Sequence, residues 1–376
     1  MNNQKNIPQL RFPEFEGEWE KKKLGELSII NPTTVKLPDK FIYIDLESVT
    51  NGQLIKEEVV FKSKAPSRAQ RVLERDDILF QMVRPYQKNN LYFDKNGDYV
   101  ASTGYAQIKT KQSSRFLYQY LHLKKFVDEV IERCTGTSYP AINSKDLAKI
   151  NIRYPSLPEQ QKIASFFTAI DQKIFQLKRN KTLLEQYKNG VMQKIFSQEI
   201  RFRDDNGQEF PKWEKKKLKD VAEIKYGKDQ KGIACENGQY PILGTGGVMG
   251  RTNEFLSDKP SVLIGRKGTI DKPFFIDTPF WTVDTLFYTI VLSNVNAKWL
   301  YYNLIKVDWY KYNEASGVPS LSTSTINKIP INLPSIGEQT RIANFLSAID
   351  DKINCTQKQI EKAGVWKKGL MQQMFC

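Results

Sequence analysis

The sequence predicts an α+β protein built as an internal repeat, with two different bodies, each followed by one copy of a long amphipathic helix. The first sign is the stretch 158–198, which has no proline after Pro158 and a single glycine, Gly190, near its end. It can therefore run as one unbroken helix of about 60 Å. The second sign is that 337–376 aligns to it without a gap. Glu159-Gln160 matches Glu338-Gln339, Ala169-Ile170-Asp171 matches Ala348-Ile349-Asp350, and Met192-Gln193 matches Met371-Gln372.

Both helical stretches carry apolar residues at heptad spacing. Ile163, Ile170, Leu177, Leu184 and Val191 form one row, and Phe167, Ile174 and Ile195 form most of a second, which Lys181 and Lys188 interrupt. In the second copy the rows are Ile342, Ile349, Ala363 and Leu370, then Leu346, Ile353, Ile360 and Met374. A stripe this narrow suits a coiled-coil seam, so each helix needs a partner and two copies imply a pair.

The repeat extends ahead of the helices. Leu10-Arg11-Phe12-Pro13 with Trp19-Glu20-Lys21-Lys22-Lys23-Leu24 recurs as Ile200-Arg201-Phe202, then Phe210-Pro211 with Trp213-Glu214-Lys215-Lys216-Lys217-Leu218. The tryptophans are expected to pack on an apolar surface while the lysine runs face solvent. In the first body, Phe41 to Leu46, Val59 to Phe61 and Asp77 to Phe80 have strand composition, with turn signals at Asn51-Gly52 and Asn96-Gly97. Arg115 to Glu132 has helical periodicity. The second body repeats the order with strands at Ser261 to Ile264 and Leu286 to Val291, then a helix from Lys298 to Tyr310. Each body closes on a strand-like run before a proline turn, Ile150 to Pro155 and Ile329 to Pro334. The bodies differ strongly while helices and tryptophan motifs stay alike, as in a protein that reads two different half-targets.

Composition narrows the class. Fifty-seven Lys plus Arg against forty-two Asp plus Glu give a net charge of +15, which favours a polyanion partner, nucleic acid first. The cysteines, Cys134, Cys235, Cys355 and Cys376, are scattered and read as reduced thiols. No apolar run approaches the roughly 18 residues of a membrane span, and the N-terminus has no apolar signal region, so the expectation is a cytoplasmic protein without membrane contact.

Catalytic patterns are missing. The only histidine, His122, lies in the amphipathic run Tyr118 to Lys125 and reads as an ordinary helix residue. One histidine and scattered cysteines supply neither a zinc site nor a histidine triad, so no metal and no catalytic residue is expected. Gly244-Thr245-Gly246-Gly247-Val248-Met249-Gly250 has its third glycine out of register for a dinucleotide loop, and Gly265-Arg266-Lys267-Gly268-Thr269 lacks P-loop spacing. Asn31-Pro32-Thr33-Thr34 has neither the second proline nor the aromatic of the adenine-methyltransferase motif.

For DNA contact the candidates are loops combining Arg or Lys with small residues and Tyr, because these side chains reach base edges and phosphates and small residues let the backbone approach. In the first body they are Arg84, Tyr86, Lys88, Ser102, Thr103, Tyr105, Thr137, Ser138 and Tyr139. In the second they are Lys225, Tyr226, Lys228, Thr245, Arg251, Arg266, Lys267, Ser316 and Ser320.

Pro155-Ser156-Leu157-Pro158-Glu159-Gln160-Gln161-Lys162-Ile163-Ala164 with Ala169-Ile170-Asp171, repeated from Pro334 to Asp350, resembles the central and distal regions of the specificity subunit of type I restriction-modification systems. Val83-Arg84-Pro85-Tyr86 and Gly136-Thr137-Ser138-Tyr139-Pro140 are shorter signals of the same likeness. The resemblance implies two target-recognition domains joined by two long antiparallel coiled-coil helices in a pseudo-two-fold internal repeat. Residues 1–157 and 199–336 would be the recognition domains, and 158–198 and 337–376 the helices. It further implies a non-catalytic subunit that reads a bipartite, asymmetric double-stranded DNA target and docks two methyltransferase subunits as well as restriction (motor and nuclease) subunits. S-adenosylmethionine, ATP and Mg would belong to those partners, with no cofactor in this chain. Glu159, Gln160, Asp171, Glu338, Gln339 and Asp350 recur in both helices; capping and solvation are one reading, a duplicated subunit-docking surface the other. No arginine-phenylalanine motif follows the second helix, and residues 1–15 could close that gap from the other end of the chain. The alternative is a non-enzymatic coiled-coil scaffold joining two protein-binding heads.

Overall fold

The computed structural model describes residues 6–34 and 36–376. The chain forms two compact units, Met1–Lys178 with Lys358–Cys376, and Arg179–Gln357, so each unit holds one body and a part of both long helices.

The first body begins with β1 (Glu20–Lys23), α1 (Leu24–Leu27), β2 (Ser28–Ile30), β3 (Lys40–Ile44), the hairpin β4 (Val49–Thr50) and β5 (Gln53–Leu54), and β6 (Glu58–Phe61). It continues with β7 (Ala69–Val72), β8 (Ile78–Gln81), β9 (Leu91–Tyr92), β10 (Tyr99–Ser102) and β11 (Tyr105–Thr110). Helices α2 (Ser114–Tyr120), α3 (Lys124–Glu132) and α4 (Ser144–Ala148) and strand β12 (Asn151–Tyr154) complete it. Then comes the first long helix, α5 (Leu157–Phe196).

Two four-stranded sheets, β2-β11-β8-β9 and β6-β3-β10-β7, build the body, and β1 pairs antiparallel with β12. The run Ile78-Leu79-Phe80 is apolar throughout because β8 is covered on both faces. Ile78 and Phe80 join the main core with Trp19, Phe116, Phe167 and Phe375, while Leu79 faces Ile44, Phe93 and Tyr105 in a smaller core.

The second body runs β13 (Glu214–Lys217), β14 (Ala222–Tyr226), β15 (Tyr240–Gly244), β16 (Gly247–Thr252), β17 (Ser261–Gly265), β18 (Phe274–Ile276), β19 (Trp281–Thr282) and β20 (Leu286–Val291). After them come α6 (Ala297–Leu304), α7 (Thr323–Ile326), β21 (Pro330–Leu333) and the second long helix, α8 (Ile336–Met374). Its sheet β14-β20-β17-β18 reproduces β2-β11-β8-β9 in order, and β13 pairs with β21 as β1 does with β12. The glycine run at 244–247 is the tight end of the β15–β16 hairpin, which accounts for its glycines without any bound nucleotide.

Two helical expectations need correction. Arg115 to Glu132 is two helices, broken at Leu121–Leu123, so His122 lies in the turn between α2 and α3 and not within a helix. Its Nδ1 sits 2.7 Å from the Tyr118 carbonyl oxygen, and the break lets both Leu121 and Leu123 enter the core. In the second body α6 stops at Leu304, and a separate 3-10 turn covers Trp309–Tyr312, where the Trp309 indole N–H donates to the Leu304 carbonyl.

Within the first unit α5 and α8 are antiparallel, since Phe167 meets Phe375 while Asp171 meets Lys367. Of the two lysines that break the second heptad row, Lys181 pairs along its own helix with Glu185, and Lys188 has a partner on the other helix. Lys188 Nζ lies 2.6 Å from Asp350 in the second unit, and Lys367, at the repeat-equivalent position, lies 2.6 Å from Asp171 in the first. The segment before Trp19 continues α8 as the segment before Trp213 continues α5. Leu10 N–H donates to Gln373 O at 2.9 Å, and Ile200 N–H donates to Lys194 O at 3.2 Å. Residues 6–15 thus supply what is missing after the second helix; residues 1–5 lie outside the described residues.

Candidate nucleic-acid interface

The repeated acidic and amide residues hold each body to the long helices, and the leading Glu-Gln pair of each copy is buried. Glu159 is 1% exposed and Glu338 0%, each holding an arginine, Arg11 or Arg201, together with the indole N–H of Trp19 or Trp213. The arginine guanidinium is raised in each case, first by the hydrogen bond to its glutamate. Gln160 and Gln339 are fully buried. Their amides donate to Pro155 O and Pro334 O, both at 2.8 Å, and their carbonyls accept from the N–H of Ser113 and Asn296 at the starts of α2 and α6. Asp171 and Asp350 are half-buried and paired: besides their lysines, they accept from Gln119 (2.7 Å) and the Tyr302 hydroxyl (2.7 Å). All six fasten a body to its helices.

The lysine runs behave as expected. Lys21, Lys22 and Lys23 are exposed along β1 while Trp19 is buried, and Lys215 and Lys217 are exposed on β13.

Of the loop candidates in the first body, Ser102 and Tyr105 are withdrawn from the surface. They flank the turn between β10 and β11, Ser102 is 4% exposed, and Tyr105 fills the smaller core at 0%. Thr103 is half-buried, its N–H donating to Arg68 O. The remaining candidates, Lys88 excepted, form one patch. Arg84 and Lys88, both at positive φ (53° and 56°), flank a 3-10 turn that displays Tyr86. Against it lies the loop of Thr137, Ser138 and Tyr139, tied by Arg84 N–H to Pro140 O at 2.8 Å. The Arg84 guanidinium lies 4.2 Å from the centre of the exposed Tyr139 ring. Lys88 turns away, donating to His122 O at 3.1 Å, and burial lowers its pKa.

The second body assembles the corresponding patch. Gly268 N–H donates to Pro319 O at 2.8 Å, and Lys267 bridges Ser320, which brings Arg266 and Lys267 to the loop of Ser316. Arg266 lies over the exposed Tyr226 ring at 5.4 Å, and Thr245 Oγ1 approaches Gly268. Lys267 and Lys228 are exposed. Lys225 is paired with Glu223, and Arg251 is spent on its own loop, donating to Gly238 O (2.6 Å) and Gln239 O (2.8 Å).

Sequence reasoning missed a second shared feature. Arg115 lies 4.2 Å from the Tyr92 ring, beside Tyr118, and Lys298 lies 4.2 Å from the Phe275 ring, beside Tyr301. Each cation is the second residue of its helix, α2 or α6, whose N-cap residue donates its N–H to the body's buried glutamine; the gapless repeat alignment does not pair the two cations, because the bodies differ in length ahead of the long helices. Among the described residues no cluster of His, Cys, Asp or Glu could hold a metal, and no helix is long and apolar enough to cross a membrane.

Two bodies on one frame, each carrying a basic loop patch and strapped to parts of the two long helices, define a duplicated protein of the DNA-reading kind. The chain belongs to the family described as the type I restriction modification DNA specificity domain, whose model matches residues 16–186 and again 211–363. It is 25% identical to the type I restriction enzyme MjaVIII specificity subunit of Methanocaldococcus jannaschii, covering 98% of this chain and 94% of that one. It is 26% identical to a putative type I specificity subunit of Mycoplasma pneumoniae over 68% of this chain and 70% of that one. The crystal structure of the type I restriction-modification S subunit from M. genitalium shares the fold, with a TM-score of 0.67 at 17% identity, covering 98% of this chain and 99% of that one. The chain is accordingly a specificity subunit, not a catalytic one.

Proposed function

We propose that the two bodies are target-recognition domains, each reading one half of a bipartite, asymmetric DNA target, with the long helices setting the gap between the halves. The observation that carries this is the pair of loop patches, held by equivalent backbone hydrogen bonds at Arg84–Pro140 and Gly268–Pro319 yet furnished with different side chains. Equal frames with unequal side chains suit two different half-sites. Two methyltransferase subunits dock on the duplicated helices, and motor and nuclease subunits complete the assembly in the cytoplasm. S-adenosylmethionine, ATP and Mg are used by those partners.

The test is methylation mapping in cells expressing this chain with its cognate methyltransferase, against cells lacking this chain alone. A two-part asymmetric motif that vanishes with the chain is expected. Unchanged methylation with the chain expressed and folded would transfer the reading to a protein scaffold.

A further inference from the structure

The two bodies provide an internal comparison that isolates the side chains able to make the half-sites differ. The frames superpose hydrogen bond by hydrogen bond: Met82 N–H donates to Gly104 O and Arg266 N–H to Thr285 O. Ile142 N–H donates to Met82 O and Leu321 N–H to Arg266 O, while Thr135 N–H takes Ala141 O and Glu314 N–H takes Ser320 O. This register equates Arg84 with Gly268 and Tyr139 with Val318. The equivalence includes the backbone, since Arg84 has φ 53° and Gly268 φ 83°.

A positive φ strains any residue with a Cβ, and glycine adopts it freely, as the second body demonstrates. An arginine held in that conformation therefore sits there for its side chain. Arg84 is half-buried: its guanidinium is stacked on Tyr139, its Nε is buried against the loop without a hydrogen-bond partner, and among the described residues no carboxylate pairs with it. The two terminal Nη groups, pre-oriented by the stack, form a planar pair of donors that matches the O6 and N7 acceptors of guanine in the major groove.

We propose that Arg84, positioned by Tyr139, reads a guanine in the half-site of the first body, and that Gly268 and Val318 leave the second body without this contact. One frame thus serves two half-sites by exchanging an Arg–Tyr stack for a Gly–Val pair. The inference rests on the recognition role proposed above.

Arg84→Gly is the informative variant, because the frame already accepts glycine at this position. In cells with the cognate methyltransferase, methylation mapping should show one G·C position in one half of the motif losing its preference by roughly 5- to 150-fold, the other half unchanged. Tyr139→Phe should keep the preference and Tyr139→Leu weaken it, because the stack is retained in one and lost in the other. Should methylation by Arg84→Gly fall too low to map, selection of duplexes from a randomised pool by the same complex decides. A relaxed guanine position supports the inference, and an unchanged motif or no selected duplex overturns it. If the unmodified chain directs no motif, the recognition role itself fails; if it directs one that Arg84→Gly leaves intact, only this inference does.

Discussion

Arg11 places two nitrogens of its guanidinium on the Glu159 carboxylate, Nε 2.8 Å from Oε1 and Nη2 2.7 Å from Oε2. Arg201 does the same to Glu338 at 3.1 and 2.7 Å. The arginines lie 148 and 137 residues from their glutamates in sequence, so each contact ties the entry of a body to the start of the helix that follows it.

Removing either arginine leaves a buried carboxylate without its counter-ion, a change that costs about 3–5 kcal/mol. Arg11→Ala should lower stability in urea denaturation by that amount, and Arg201→Ala likewise. Because the pairs lie in different units, the two losses should add in the double variant. A loss under about 1 kcal/mol for either would show that the carboxylate escapes to water.

Phe375, one residue from the end of the sequence, is a core residue: it is 6% exposed, with Trp19, Phe116, Tyr120 and Phe167 around it. Phe375→Ala should cost about 3 kcal/mol, well above what an end position ordinarily costs. Protection from hydrogen exchange should fall in α2 and stay unchanged in α6. Equal protection in α2 would place the ring outside the core.

These contacts show why part of the structure was legible in the sequence. Long helices, the repeat and the central strands follow from local pattern: heptads, a gapless alignment, and apolar runs such as Ser261 to Ile264. The roles of Glu159 and Gln160 were not legible, because a carboxylate near a helix start reads as a dipole partner until the distant Arg11 and Trp19 are placed on it. Tyr105 misled for a related reason. Its loop neighbours suggested a surface, while strand alternation turned it into the core. Arg84 and Tyr139 were identifiable as residue types; their stacking depends on a bridge between segments more than fifty positions apart.

Burial pushes the His122 imidazole from 6.5 down to about 4. The folded chain therefore keeps it neutral where the unfolded chain takes up a proton. Its contribution is complete above about pH 6.5, declines as the pH falls, and is lost below about pH 4. The span is worth at most about 3–4 kcal/mol. His122→Gln should flatten the stability profile between pH 6.5 and 4, and an unchanged slope would assign acid sensitivity to other groups.

Lys267 is exposed at the rim of the second patch and makes no salt bridge among the described residues. As a phosphate contact it would add about 0.9 to the slope of log affinity against log salt. Lys267→Gln should reduce that slope by about one in DNA-binding titrations of the assembled complex and leave the motif unaltered. A changed motif would make Lys267 a base reader.

The helical ion pairs fix where the spacing can be altered without disturbing either unit. Asp171–Lys367 belongs to the first unit and Lys188–Asp350 to the second, so an insertion after Lys178 in α5, matched by one after Gln357 in α8, lies between the two pairs. Seven residues preserve the heptad stripe and extend each helix by about 10.5 Å. At about 3.4 Å per base pair the gap between half-sites should grow by roughly three base pairs, with both halves of the motif retained. Four residues would add about 6 Å and also rotate the stripe by about 40°, so that variant should lose activity as well as register. A methylated motif with its original gap after the seven-residue insertions would exclude the helices as the ruler, since the recognition loops themselves are untouched.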